Sequence, residues 1–290
     1  MVTSNIAKLL ERCKFPPANS AVHCAVSGGP DSLALLVLAT EAGCEVTAWH
    51  VDHGLRPGSA QEAAKVAAVA ARWKANFEAR SAPCTPGPNL EARARAARYK
   101  VLPTGVLTGH TADDQAETVL LNLMRGAAVD GLAGIGLANR PLLQLRRSET
   151  QSLCETVGLE PLKDPSNLDP AYRRNRVRHE LLPLLCDIAK RDVVPVIARN
   201  AEVLGGVRDL LDELATDIDP TDAKNLANLP EALVAVVLRR WIQAETQAEH
   251  PIDAASVQRV LAVARNQARS TDVGDGWSVT RSAQRLCVTK

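Results

Sequence analysis

The sequence predicts an α/β fold: a doubly wound parallel sheet in the first part of the chain, followed by a second, mainly helical domain that ends in a β-hairpin. Three observations carry this expectation. Short apolar runs alternate with helical stretches between Ala21 and Met124, the pattern of a parallel sheet covered on both faces. After about Leu185 the strand signals stop and only helical periodicity continues. The final residues return to two short alternating runs.

Taken in order, Ala21–Val26 reads as a first strand and Asp31–Thr40, rich in Ala and Leu, as the helix after it. Glu45–Val51 is a second strand. A long Ala-rich helix begins near Ser59, where Ser59 and Glu62 have capping-box spacing. Asn76–Arg80 reads as a third strand, and Pro83–Pro88 as a loop. Asn89 is placed to cap a basic helix over Leu90–Leu102. Val106–Thr108 supplies a short fourth strand and Ala112–Met124 a further helix. Val193–Leu214, Pro230–Gln247 and Asp253–Ala268 carry helical periodicity, and Trp277–Thr280 with Arg285–Val288 form the closing hairpin. The boundary falls near residues 186–192, dividing a domain over 1–188 from one over 189–290.

Composition narrows the class. Apolar residues make up 46% of the 290 and charged ones 23%, which suits a folded globular chain and excludes a disordered one. Net charge is +1, so a nucleic-acid partner has to be held by a local basic patch. Aromatics at 3% are too sparse for a base-stacking sheet. The seven cysteines are scattered with no Cys-x-x-Cys pair, which reads as reduced thiols rather than a zinc or iron–sulfur site. The opening MVTSNIAKLLERCKF has no long apolar run or small-residue cleavage site, and no later stretch approaches a membrane span. A cytoplasmic location without a membrane partner is expected.

The strongest local signal is Ser27-Gly28-Gly29-Pro30-Asp31-Ser32, running from strand directly into helix. Two glycines let the backbone turn sharply and approach a ligand closely. The helix start offers free N–H groups and a positive dipole end, both favourable to phosphate. Ser27 and Ser32 add hydroxyls, and Pro30 suits a first helical turn. A bare carboxylate beside phosphate is repulsive, so Asp31 makes sense as a ligand of Mg²⁺ bridging the two. Read alone, a pair of glycines can equally be a plain turn in which Asp31 or Ser32 caps the helix. The spacing is neither a Walker A loop nor a Gly-x-Gly-x-x-Gly fingerprint. The whole segment resembles the PP-loop of the N-type ATP pyrophosphatases, which implies cleavage of ATP between the α and β phosphates and adenylation of a carbonyl-type oxygen.

Three further segments bear on the substrate. His50-Val51-Asp52-His53 through Ser59 leaves the second strand toward the ligand crevice, where it is either a metal-binding loop or a polar loop with a hydrogen-bonded His–Asp pair. Gly109 through Thr118 leaves the fourth strand. Helical spacing sets His110, Asp114 and Glu117 on one face, able to hold a cation or accept a proton; the other reading is an acidic helix start. The basic clusters Arg93, Arg95, Arg98 with Tyr99, and Tyr172 through His179, are either solvated helix faces or contacts to an RNA backbone.

Together with Arg125-Gly126, Asp130-Gly131-Leu132, Arg140-Pro141-Leu142-Leu143 and Asp164-Pro165-Ser166-Asn167, these segments resemble the tRNA(Ile)-lysidine synthetase family over residues 21 to about 183. The resemblance implies ATP- and Mg²⁺-dependent joining of free lysine to C2 of the wobble cytidine in isoleucine tRNA with a CAU anticodon. It implies that Ser27, Gly28, Gly29, Pro30, Asp31 and Ser32 hold ATP phosphates, with Asp31 on the metal, and that the backbone at His50 and Val51 meets adenine. Arg98, His110, Asp114 and Glu117 are then expected at the lysine and cytidine site, Asp114 and Arg98 as catalytic groups. Arg140, Arg174, Asn175 and Arg178 are expected to contact tRNA, and a homodimer is compatible with this reading. Two stretches, between Tyr99 and Val106 and between Ile135 and Arg140, are shorter than the family pattern. The nearest rivals are other PP-loop enzymes, a tRNA thiolase or a GMP or NAD synthetase; a noncatalytic nucleotide-dependent RNA-binding protein is a rival of another class.

Overall fold

The computed structural model describes residues 2–52, 54, 59–85, 87, 90–162, 169–248 and 251–290. His53, residues 55–58, the Asn89 cap, the side chain of Ser59 in its capping box and the Asp164–Asn167 segment lie outside the described residues. The chain divides into two compact units, Met1–Gly205 and Gly206–Lys290.

The first unit starts with helix α1 (Val2–Leu10) and then alternates β1 (Ala21–Ala25), α2 (Pro30–Glu41), β2 (Glu45–Asp52), α3 (Ser59–Arg72), β3 (Asn76–Ser81) and α4 (Leu90–Val101). The strands are parallel in the order β1-β2-β3, with Ala21 opposite Glu45 and Thr47 opposite Asn76. The expected fourth strand is reduced to one parallel bridge on the free edge of β1. The Leu107 amide donates to His23 O at 2.7 Å, and the Leu107 carbonyl accepts from Ala25 N at 2.9 Å. Three apolar-to-polar residues between a turn at Pro103 and the crevice are too few for a ladder. The direction and place are those of a fourth strand all the same, so chain order reverses between β1 and Leu107. Ligands bind outside the carboxyl ends of such sheets at that switch point.

Helix α2 is buried from Ser32 through Ala39, apolar all round as befits a central helix. It packs on the sheet and on α7 (Arg147–Thr156), joining Leu142, Leu145 and Leu153 in the main core. Between α4 and α7 stand α5 (Ala112–Met124) and the single turn α6 (Val129–Leu132). Beyond α7 come the short α8 (Arg173–Arg176), one π turn over Val177–Leu181, α9 (Leu182–Ala189) and α10 (Val194–Ala215). Ala112, Ala116 and Leu120 of α5 share a smaller core with Val177, Leu182 and Val194. That core explains why the units divide at Gly205–Gly206 and not at 188–189: the start of α10 is packed into the first unit.

In the second unit, α11 (Ala223–Asn228), α12 (Glu231–Thr246) and α13 (Ala254–Ala264) enclose a core that includes Leu226, Leu238, Ile242 and Leu261. The expected hairpin is a three-stranded antiparallel sheet, β4 (Ser270–Gly274), β5 (Trp277–Ser282) and β6 (Arg285–Thr289). Strand β4 escaped the sequence reading because Ser-Thr-Asp-Val-Gly carries turn residues and a single large apolar side chain. No described helix is long and apolar enough to cross a membrane.

Candidate functional site

The turn from β1 into α2 is tightened by one hydroxyl. Ser32 Oγ accepts from the amides of Ser27 at 3.2 Å and Gly28 at 3.1 Å and donates to Gly29 O at 2.9 Å. Gly28 has φ of +88°, and a Cβ there would stand 2.4 Å from Leu162 Cδ1, so this position requires glycine on both counts. Pro30 occupies the first turn of α2, with Gly29 before it as cap. His50 is buried at the end of β2, where its Nδ1–H donates to Val26 O at 2.9 Å. That bond anchors the His50–Val51 backbone beside the loop and commits one ring nitrogen to the main chain.

Across the switch point, Gly109 lies against the first turn of α2. A Cβ on it would be 2.5 Å from the carbonyl oxygen of Asp31, so the two sides of the crevice meet backbone to backbone. Helix α5 begins immediately after. Asp114 Oδ2 reaches back to accept from Thr111 N at 2.9 Å and Thr111 Oγ1 at 3.0 Å, which fixes the start of the helix and its carboxylates.

The acidic face predicted for α5 is real, and it meets a cation the sequence reading did not select. Arg147, at the start of α7, spreads its guanidinium over three carboxylates: Nη2 to Asp114 Oδ1 at 2.9 Å, Nη1 to Glu117 Oε1 at 3.0 Å and Nε to Asp31 Oδ2 at 3.4 Å. The other oxygen of Asp31 accepts from Thr150 Oγ1. Glu117 is fully buried and also holds Arg178, with Nε at 2.7 Å, and Arg174, with Nε at 3.3 Å. Three carboxylates thus face three guanidiniums. Asp113, on the neighbouring face, accepts from Arg146 at 3.0 Å and from the backbone N–H of Arg147 at 2.8 Å.

Titration follows from these contacts. Burial acts to raise the Asp114 carboxyl, but Arg147 and the Thr111 amide outweigh it and hold it below its ordinary value. Burial pushes Asp31 up against the opposing pull of Thr150 and Arg147. His110, hydrogen-bonded to Thr108 Oγ1 at 2.7 Å, is pushed down to about 4 by burial, with Asp114 pulling the other way. Its ring is therefore neutral in the folded protein near neutral pH. The unfolded chain takes up that proton near pH 6.5 and the folded chain only near 4, so this group removes stability as pH falls through that window. Denaturant unfolding across the window is expected to show a shallower loss of stability with acid in His110→Gln than in the wild type; parallel curves refute the assignment.

The remaining expected site residues separate. Arg140 donates from Nη1 to Asn139 O at 3.0 Å and from Nη2 to Tyr99 Oη at 3.4 Å, while the exposed Arg95 lies over the Tyr99 ring at 5.1 Å. Burial lowers both Arg98 and Arg140 from their ordinary values. Arg174 and Arg178 turn toward Glu117, and Asn175 is buried, donating to Asp169 O at 2.9 Å. A cavity of about 190 Å³ opens beside the cluster, lined by Arg147, Glu117, Arg178, Asp113, Cys186 and Asp192 among others. Among the described residues no group of three or more His, Cys, Asp or Glu side chains could hold a metal by itself. A single carboxylate, Asp31, in the first turn of α2 fits a cation that arrives on phosphate oxygens.

A family model described as a PP-loop domain matches residues 1–185. The tRNA(Ile)-lysidine synthase of Nocardia farcinica is 41% identical over 258 residues, covering 82% of this chain and 80% of that protein. The tRNA(Ile)-lysidine synthase of Thermobifida fusca is 39% identical over 274 residues, covering 86% of this chain and 84% of its own. Among solved structures, a U34-tRNA thiolase from Methanococcus maripaludis superposes with a TM-score of 0.56 at 20% identity, over 70% of this chain and 79% of that one, a likeness of fold. The match to the PP-loop domain contains the phosphate turn and the carboxylate–arginine cluster, the relatives run through most of both chains, and this protein accordingly belongs to the tRNA(Ile)-lysidine synthase family.

Proposed function

We propose that this protein uses ATP to join lysine to C2 of the wobble cytidine of CAU-anticodon isoleucine tRNA, releasing pyrophosphate and then AMP. The observation that carries the reading is the placement of a phosphate-binding turn and a carboxylate helix on the two sides of one crevice, in contact at Gly109. The cytosine C2 oxygen is a poor leaving group. It attacks the α-phosphorus of ATP, pyrophosphate departs, and the adenylated oxygen then leaves as AMP when the lysine amine adds to C2.

The Ser27–Ser32 turn holds the phosphates, and Asp31 is the residue that would hold Mg²⁺, which supplies charge neutralisation as pyrophosphate leaves. Free lysine has a side-chain pKa near about 10.4 and arrives as an ammonium. Of the two α5 carboxylates that the Arg147 guanidinium holds, Asp114 is 14% exposed and Glu117 fully buried among guanidiniums, so we assign the ammonium to Asp114. Glu117 acts through the arginines it fixes. A neutral His110 beside Asp114 avoids the repulsion an imidazolium would exert on that ammonium. Arg98 lines the cytidine side, and Arg95, Tyr99 and Arg140 form the patch we assign to the tRNA backbone, with the second unit positioning the rest of the RNA.

Order of addition tests the reading. Pyrophosphate is expected from ATP, Mg²⁺ and tRNA with lysine omitted, and none from ATP, Mg²⁺ and lysine without tRNA. Asp114→Asn is expected to retain adenylation while lysine transfer drops about a hundredfold, because an amide offers the ammonium no charge and takes no proton. Lysine-dependent pyrophosphate exchange in the absence of tRNA defeats the mechanism.

A further inference from the structure

Arg147 is a single cation bridging two parts of the site. Its three nitrogens address carboxylates from different turns: Asp31 on the phosphate side, Asp114 and Glu117 on α5. The contacts are unequal, 2.9 and 3.0 Å to the α5 carboxylates against 3.4 Å to Asp31. The backbone beneath it is fixed, since the Arg147 N–H donates to Asp113 at 2.8 Å and Glu149 accepts from the preceding amide at 2.8 Å. Asp31 keeps a partner in Thr150 whether or not Arg147 stays. Arg147 also lines the 190 Å³ cavity, which offers its side chain room to shift.

Resting on the ATP reading above, we propose that Arg147 is a positioning residue that occupies the cation place at Asp31 until nucleotide arrives. A divalent cation carried on the phosphates then displaces the guanidinium from Asp31 alone, while Asp114 and Glu117 keep it. The long contact is the one given up, the side chain moves without its helix, and Asp31 is held ready by Thr150. Any ligand that draws Arg147 further onto Asp114 and Glu117 eases metal entry at Asp31, and the converse holds with equal free energy, because such coupling is reciprocal. Nucleotide and amine sites are thereby linked through one side chain.

The test is binding, not turnover. A nonhydrolysable ATP analogue is titrated onto the full chain at increasing free Mg²⁺, for wild type, Arg147→Met and Arg147→Lys, with a thermal melt of each. Arg147→Met is expected to shift the Mg²⁺ midpoint for nucleotide binding down by about fivefold or more, since the metal no longer competes at Asp31. It is also expected to weaken binding of the metal-free analogue, because a positive charge has left the phosphate side. Arg147→Lys keeps the charge but cannot span three carboxylates, and shifts the midpoint the same way by less. A purely structural ion pair lowers the melting temperature and moves neither midpoint nor metal-free affinity; that result in folded variants overturns the proposal. Nucleotide bound by none of the three proteins at any Mg²⁺ concentration overturns the ATP reading and this inference with it.

Discussion

Replacing Asp31 with Ala is expected to abolish pyrophosphate release, by about a hundredfold or more, in a protein that still folds. The expectation of folding is structural. Burial already disfavours the charged form of Asp31, so its loss removes no strongly stabilised anion. Thr150 keeps a second acceptor in Arg147 O at 2.8 Å, and Arg147 keeps Asp114 and Glu117. The chemical loss follows from the site, where Asp31 is the carboxylate that the phosphate turn itself carries. Pyrophosphate release and circular dichroism measured on the same preparation decide the matter; near-normal turnover from a folded variant removes Asp31 from the reaction.

Glu117→Ala is expected to act on stability as strongly as Asp31→Ala acts on rate. It strips the shared partner from Arg147, Arg174 and Arg178 and leaves three guanidiniums against the two carboxylates Asp31 and Asp114. Removing one side of a buried ion pair costs about 3–5 kcal/mol, because a desolvated charge is left uncompensated. Denaturant unfolding of the variant reads this directly. A loss below about 1 kcal/mol, the scale of a surface pair, means that water already reaches these arginines.

Much of this arrangement was legible in the residues. The Ser27–Ser32 turn and the α5 carboxylates show themselves because each is a local pattern, a strand-to-helix turn or the i, i+4, i+7 spacing of His110, Asp114 and Glu117. Arg147 and Thr150 are not local to the carboxylate they share: more than a hundred residues separate them from Asp31. A signal was nevertheless present. Arg146 and Arg147 stand at the start of a helix, the end where positive charge is disfavoured by the helix dipole. Basic residues in that place need acidic partners from elsewhere, and α5 was the acidic segment available. The arginines of Tyr172–His179 show a further limit. A basic run in sequence says nothing of direction, and Arg174 and Arg178 face inward onto Glu117. The short Val106–Thr108 stretch likewise announced the position of a strand but not that its pairing would stop after one bridge.

The contact at Gly109 has a consequence for how the crevice responds to change. Its width is gauged by main chain against main chain, glycine upon the Asp31 carbonyl, with no side chain interposed. Neighbouring core residues such as Leu33, Leu145 or Leu153 can therefore be exchanged at a cost in stability while the spacing between phosphate turn and carboxylate helix holds. Dimension and durability are set by separate parts of the molecule: the first by two backbones that touch, the second by the packing behind them.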